Sequence, residues 1–262
     1  MGDVFELHRG HLPLLVSLPH DGTALPDDIA ARLTATARGV PDTDWFVSRL
    51  YDFALAMGAS VLVPRWSRYV VDLNRPPDDV SLYPGQNTTG LCPATGFDGQ
   101  PIYLPGQAPS PDEVQARVQR YWRPYHAALA GDLERLRAAH GRAVLWEGPS
   151  IPSVVPFLFE GRLPDLNLGT AAGASCAPDC QARLEAVLAA QSAYSWVANG
   201  RFKGGYITRH YGRPARRVDA VQLELAQATY MDEDAVCYDE ARASALQPLL
   251  AALLRAGMDA AR

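Results

Sequence analysis

Several short stretches carry residues able to do acid–base, metal or anion chemistry. His20 follows an apolar run in SLPHDG, before a glycine turn. An imidazole at a strand end can act as a metal ligand or a base; a structural or surface histidine is the plainer role. Asp42 and Asp44 lie in PDTDW at a helix start. They can cap that helix and offset its dipole, or one of them can be an oxygen ligand for zinc; spacing leaves both open. VVDLNRPP ends in Asn74 and Arg75, a neutral donor beside a fork that fits a carboxylate bidentately, with Arg65 and Arg68 close by. FKGGYITRHYG gathers Lys203, Arg209 and His210 around two glycines. These cations are either solvated surface charge or a convergent site for an anionic substrate. In VDAVQLELAQATYMDE, alternation places Val221 and Leu223 on one face and Gln222 and Glu224 on the other. A buried Glu224 needs a partner and could serve as a general base with a raised pKa; an exposed strand residue is the alternative.

The stretch WEGPSIPSVVP poses a separate question. An apolar run over 143–146 ends in the carboxylate of Glu147 and breaks at once into Gly148, Pro149, Ser150 and Pro152. Open α/β sheets put their chemistry where strands end, yet proline can neither bind a metal nor move a proton.

The elements that must position these residues follow from periodicity. Strands are expected over 12–18, 59–63, 69–73 and 143–146, with further apolar or β-branched runs over 165–169, 194–198, 206–208 and 218–225. Helices are expected over 25–33, 44–57, 179–191 and 240–257. Ser110-Pro-Asp-Glu113 forms a capping box opening a helix to about residue 139, kinked at Pro124. Residues 74–110 are rich in Pro, Gly, Thr and Asn; Leu82, Tyr83 and Leu91 mark this as an ordered active-site loop. Alternating strands and helices predict a single α/β domain over 1–262, with a mixed, mainly parallel central sheet and helices on both faces.

Composition narrows the function. A net charge of −5 argues against a general nucleic-acid or membrane surface but leaves room for a local basic pocket. No apolar run spans a bilayer, and MGDVFELHRGHLPLL lacks a secretory core, so a cytoplasmic location is expected. The four cysteines suggest neither a disulfide framework nor a zinc finger; Cys176 and Cys180 read as buried thiols ahead of a redox pair. The absence of GxSxG, Walker and GxGxxG motifs removes the main support for serine-hydrolase, nucleotide and dinucleotide chemistry.

SLPHDGTALP, DTDWFVSRLYDFA, SRYVVDLNRPPDD, SLYPGQNTTGLCP, LFEGRLPDLNLGT, GRFKGGYITRHYG and AVQLELAQATYMDE occur in order from about residue 15 to 233. Together they resemble the N-formylglutamate amidohydrolases, also called N-formylglutamate deformylases. The resemblance implies a zinc-carboxypeptidase-like fold. It implies zinc-assisted hydrolysis of a small acidic acyl-amino acid, N-formyl-L-glutamate, to formate and L-glutamate, late in one route of histidine breakdown. It implies His20 and Asp44 as zinc ligands and Asn74 and Arg75 as holders of a substrate carboxylate. Arg68 would polarise the scissile carbonyl, and Glu224 would be the base for the attacking water. Arg209 and Lys203 offer further cations for a dianionic substrate.

The family pattern places a histidine, the third zinc ligand, where this chain has Pro149, and a basic residue where it has Pro152. Phe46 and Asp219 also stand where the resemblance expects histidine. Three arrangements answer Pro149. Glu147 can replace the lost ligand as an oxygen donor. Metal hydrolysis can be lost, leaving a metal-free binding protein or an enzyme acting on another carboxylate-bearing amide or amine. Or another residue, His126 or His210, can supply the ligand.

Overall fold

The computed structural model describes residues 4–82, 84–85 and 87–259, so Tyr83 of the expected loop lies outside the described residues. Its apolar runs assemble one eight-stranded sheet. The strands are β1 (Phe5–His8), β2 (Leu14–Ser17), β3 (Ser60–Pro64), β4 (Ala143–Glu147), β5 (Ser150–Ile151), β6 (Leu166–Gly169), β7 (Trp196–Ala198) and β8 (Val218–Ala226). Their order is β1-β3-β2-β4-β8-β6-β7, with β5 pairing the end of β8. β3, β2, β4 and β8 run parallel, as do β6 and β7; β1 and β6 lie antiparallel on β3 and β8. The mixed, mainly parallel sheet is therefore as expected. β2 and β4 are buried along their whole length, as parallel strands covered on both faces must be.

The helices are α1 (Asp27–Ala30), α2 (Val47–Leu50), α3 (Phe53–Met57), α4 (Pro111–Arg117), α5 (Arg123–His140), α6 (Pro178–Ala189), α7 (Tyr206–Tyr211) and α8 (Glu240–Asp259). Leu14, Val16, Val144, Trp146, Val221 and Leu223 face α2, α3, α6 and α8, together with the buried Cys176 and Cys180. Leu15, Leu62, Leu145 and Ala220 face the opposite layer of α1, α4, α5 and α7. Among the described residues no helix is long and apolar enough to cross a membrane.

Four expectations need correction. The helix over 25–33 shrinks to the single turn of α1. The helix over 44–57 is broken into α2 and α3, because Phe46 takes a left-handed conformation (φ 62°) and Tyr51 leaves the helical region. The strand over 69–73 is a buried turn: the Val70 N–H bonds Ser67 O (2.9 Å), and the Asp72 N–H bonds Leu91 O (2.6 Å). The Tyr69 and Val70 carbonyls accept from the Arg117 guanidinium, at 3.4 and 3.1 Å, in place of a neighbouring strand. A β-branched run fits any buried extended surface, so its partners decide the outcome.

The run over 206–208 is helical, as part of α7. Its Ile207 N–H is capped by Asn74 Oδ1 (2.9 Å), a partner 133 residues away in sequence. Gly205 permits this approach, since a Cβ there would fall 2.4 Å from the Asn74 side chain.

The Ser110 cap is as expected, with Ser110 Oγ accepting the Glu113 N–H at 3.3 Å. The Glu113 carboxylate does not close the box; it pairs with Arg32 and Arg117. The expected kink before Pro124 is a π-helical turn, Val118–Trp122, between α4 and α5. That turn absorbs the hydrogen bond which proline cannot make.

Candidate active site

The C-terminal ends of the parallel strands converge. β2 delivers His20, the turn after β3 delivers Arg68, Asp72, Asn74 and Arg75, β4 delivers Pro149, and β8 delivers Gln222 and Glu224. His20, Arg68, Arg75, Arg201, Gln222 and Glu224 line one cavity of about 70 Å³, with Pro149 in its wall. Strand-end placement of this kind is where open α/β sheets bind ligands.

A buried charge chain forms one side of the cavity. His20 Nε2 lies 2.7 Å from Asp72 Oδ1, and its Nδ1 lies 3.5 Å from Asp44 Oδ2. Arg68 Nη2 donates to Asp72 Oδ2 at 2.7 Å, and Nη1 lies 3.8 Å from Asp44 Oδ1. Asp44 Oδ2 also accepts the Ser150 N–H at 2.9 Å. Burial and the Arg68 charge push the His20 imidazole down, but Asp72 and Asp44 outweigh both and raise its pKa to about 9. Burial pushes Asp72 up; His20 and Arg68 nevertheless hold it well below the ordinary carboxylate range.

Glu224 forms the opposite side. It is 7% exposed, and its Oε2 accepts from Gln222 Nε2 at 2.8 Å. Gln222 is itself fixed, because its Oε1 accepts the Gly205 N–H at 2.7 Å. Burial, reinforced by the Asp44 charge, raises the Glu224 pKa to about 8. The alternation read from the sequence holds here, since Val221 and Leu223 enter the core while Gln222 and Glu224 face the cavity.

The structure does not place Glu147 on the cavity as the open oxygen donor the sequence suggested: both of its oxygens are hydrogen-bonded, Oε1 accepting from Asn74 Nδ2 and Oε2 from Thr208 Oγ1 (2.6 Å). Burial raises its pKa to about 7, the response of a carboxyl held among neutral donors. Asn74 is accordingly occupied at both ends of its amide, by Glu147 and by α7, and its side chain braces the cavity wall.

Arg75 is half-buried and lines the cavity, tied by Nε to Thr89 O (2.8 Å) and by Nη1 to Asn74 O (3.2 Å). Lys203 is exposed, Arg209 Nε bonds Gly204 O (2.8 Å), and neither is among the cavity-lining residues, so the structure does not bring these two cations to the site. Arg201, two positions before Lys203, is the cation from that segment which does line it. Asp72, Gln222 and Arg201 were not singled out as site residues in the sequence. Asp72 carried a signal, an acid four residues after Arg68 at the same strand end; Arg201 carried only its place beside the glycine turn.

The structure does not bring His126 or His210 to the cavity. His126 stacks on Trp122 with centroids 3.6 Å apart and bonds Leu73 O (2.9 Å) and Tyr211 Oη (3.0 Å). His210 is exposed and stacks on Tyr206. Phe46 packs near Tyr238, and Asp219 accepts the Ala177 N–H (2.6 Å), both away from the cavity.

The donor set can be tested against zinc. His20 and Asp44 stand together, Asp44 Oδ1 is buried without a hydrogen-bond partner, and Asp72 orients His20 as an outer carboxylate would. Zinc sites take at least three protein ligands. The chain has Pro149 where the family resemblance expects the third, Glu147 is hydrogen-bonded to Asn74 and Thr208, and no group of three or more His, Cys, Asp or Glu is placed to hold a metal among the described residues. The residues present therefore do not fit a complete zinc site.

With this geometry in place, comparison with known proteins is informative. The N-formylglutamate amidohydrolase family model matches residues 12–231. N-formylglutamate deformylase of Pseudomonas aeruginosa is 54% identical over 99% of both chains. That of Pseudomonas putida is 52% identical over 98% of this chain and 96% of its own. The crystal structure of N-formylglutamate amidohydrolase from Ralstonia eutropha JMP134 superposes with a TM-score of 0.81 at 29% identity, covering 96% of each chain. A gene product of Agrobacterium tumefaciens, 17% identical with a TM-score of 0.74, shares the fold. Sequence motifs, sheet order and near full-length identity agree, and the chain belongs to the N-formylglutamate amidohydrolase family.

Proposed function

We propose that this cavity hydrolyses N-formyl-L-glutamate, giving formate and L-glutamate. The observation that carries the reading is the opening of Glu224, Arg68 and Arg75 onto one cavity, a general base, a partner for the developing oxyanion and a cation for a substrate carboxylate. Deprotonated Glu224 removes a proton from water as its oxygen attacks the formyl carbon. Arg68 faces the oxygen that gains negative charge, a contribution commonly of a few kcal/mol. The C–N bond then breaks, and Glu224 returns the proton to the leaving nitrogen, so glutamate leaves as the amine. Arg75 holds a carboxylate throughout by charge-assisted hydrogen bonding. The test is formate release from N-formyl-L-glutamate by the purified protein. Turnover above the buffer blank supports the reading. Binding without formate would replace it with a metal-free binding protein.

We also propose that zinc is held below one equivalent, because His20 and Asp44 supply two donors where a stable site takes at least three. Pro149→His places an imidazole at a position lining the same cavity as His20 and is expected to raise zinc affinity on the order of tenfold or more. Metal analysis and zinc titration of both proteins check this. A full tightly held equivalent in the natural chain, or unchanged affinity in a folded variant, contradicts it.

A further inference from the structure

We propose that Arg201 is the specificity-determining residue for the second carboxylate. Its guanidinium receives the side-chain carboxylate of the acyl-amino acid, while Arg75 receives the α-carboxylate. This deepens the proposed function and rests on it for the identity of the ligand.

The cations lining the cavity differ in what already surrounds them. Arg68 is buried and neutralised by Asp72 and Asp44. Arg75 is half-buried and is anchored to buried backbone, the carbonyls of Asn74 and Thr89, residues that are 4% and 7% exposed. Arg201 reaches in from the segment between β7 and α7, and its Nη2 donates to Asn87 O (3.0 Å) and Leu158 O (3.1 Å). Those carbonyls belong to two separate loops, which Asn87 joins again by donating from Nδ2 to Phe157 O (2.9 Å). Asn87 and Phe157 are exposed, so Arg201 marks the mouth of the cavity and Arg75 its depth.

The ligand has the same polarity. Its reacting carbonyl must meet Glu224 on the inner strand β8. The α-carboxylate lies one carbon from the amide nitrogen, and the side-chain carboxylate lies two methylenes further out. The α-carboxylate therefore falls to the deep cation and the side-chain carboxylate to the outer one. Leu158 and Phe202 line the cavity beside Arg201 and give the methylenes apolar walls. The charge of a guanidinium is what selects a second anion over a neutral group.

The experiment compares N-formyl-L-glutamate with N-formyl-L-glutamine, whose side chain ends in a neutral amide, on the natural chain, Arg201→Gln, Arg201→Lys and Arg75→Ala. Arg201→Gln is expected to lower kcat/KM for N-formyl-L-glutamate by roughly 30- to 100-fold, chiefly through KM, and to change N-formyl-L-glutamine by less than about threefold. Arg201→Lys should recover part of the preference, and Arg75→Ala should weaken both ligands together. Equal losses on both ligands in Arg201→Gln would reduce Arg201 to a loop tie and overturn the proposal. So would collapse of the preference in Arg75→Ala instead. Calorimetric titration of the same two ligands reads the same ratio without turnover. A protein that binds but releases no formate would thus refute the hydrolytic reading while still deciding the role of Arg201.

Discussion

Glu224→Gln is expected to lower kcat for formate release by about 10²- to 10⁴-fold, while N-formyl-L-glutamate affinity stays within a few-fold. The replacement keeps the shape of the side chain and an oxygen to accept the Gln222 hydrogen bond, so it removes the proton acceptor alone. The pH profile carries the same information. Burial and the neighbouring Asp44 hold the Glu224 pKa at about 8, and only the deprotonated form can act as the base. kcat/KM should therefore climb as pH rises toward about 8 and then level. The residual activity of Glu224→Gln should lack that ascending limb. A folded variant with full kcat, or an unchanged profile, would remove Glu224 from the mechanism.

Arg68→Met is expected to destabilise the fold by about 3–5 kcal/mol at neutral pH, besides slowing turnover. The Arg68 charge offsets two carboxylates that are 0% and 1% exposed, Asp72 and Asp44, and methionine would leave this to His20 with a smaller contribution from Arg75. The sign with pH follows from Asp72. Its folded pKa is depressed, so its stabilising contribution is present above the unfolded value and is lost as pH falls through the folded one. The penalty of Arg68→Met should thus be largest near neutrality and shrink in acid. Adding Asp72→Asn should restore part of the loss, because the two residues share one ion pair. Urea unfolding of the natural chain and of both variants measures this. A change below about 1 kcal/mol for Arg68→Met at pH 7 would show that the ion pair is not structural.

Much of the site was legible in the sequence because its residues follow strand ends. His20 comes directly after β2, and the Val221/Leu223 against Gln222/Glu224 alternation in β8 assigns the carboxylate to the cavity face. The sheet was legible for the same reason, since the buried runs in β2, β4 and β8 are apolar enough to read without partners. What could not be read depends on contacts distant along the chain. The 69–73 turn is fixed by Arg117, and α7 is capped by Asn74. Glu147 looks like a free strand-end ligand until Asn74 and Thr208 are seen to occupy it. Lys203 and Arg201 are equivalent by composition. Only the course of the chain between β7 and α7 puts Arg201 at the cavity and Lys203 off it.

The most direct measurement is a crystal structure of Glu224→Gln soaked with N-formyl-L-glutamate. The formyl carbon is expected between residue 224 and Arg68, with one carboxylate on Arg75 and the other on Arg201. A ligand bound with its formyl group at the cavity mouth, or outside this cavity altogether, would contradict it.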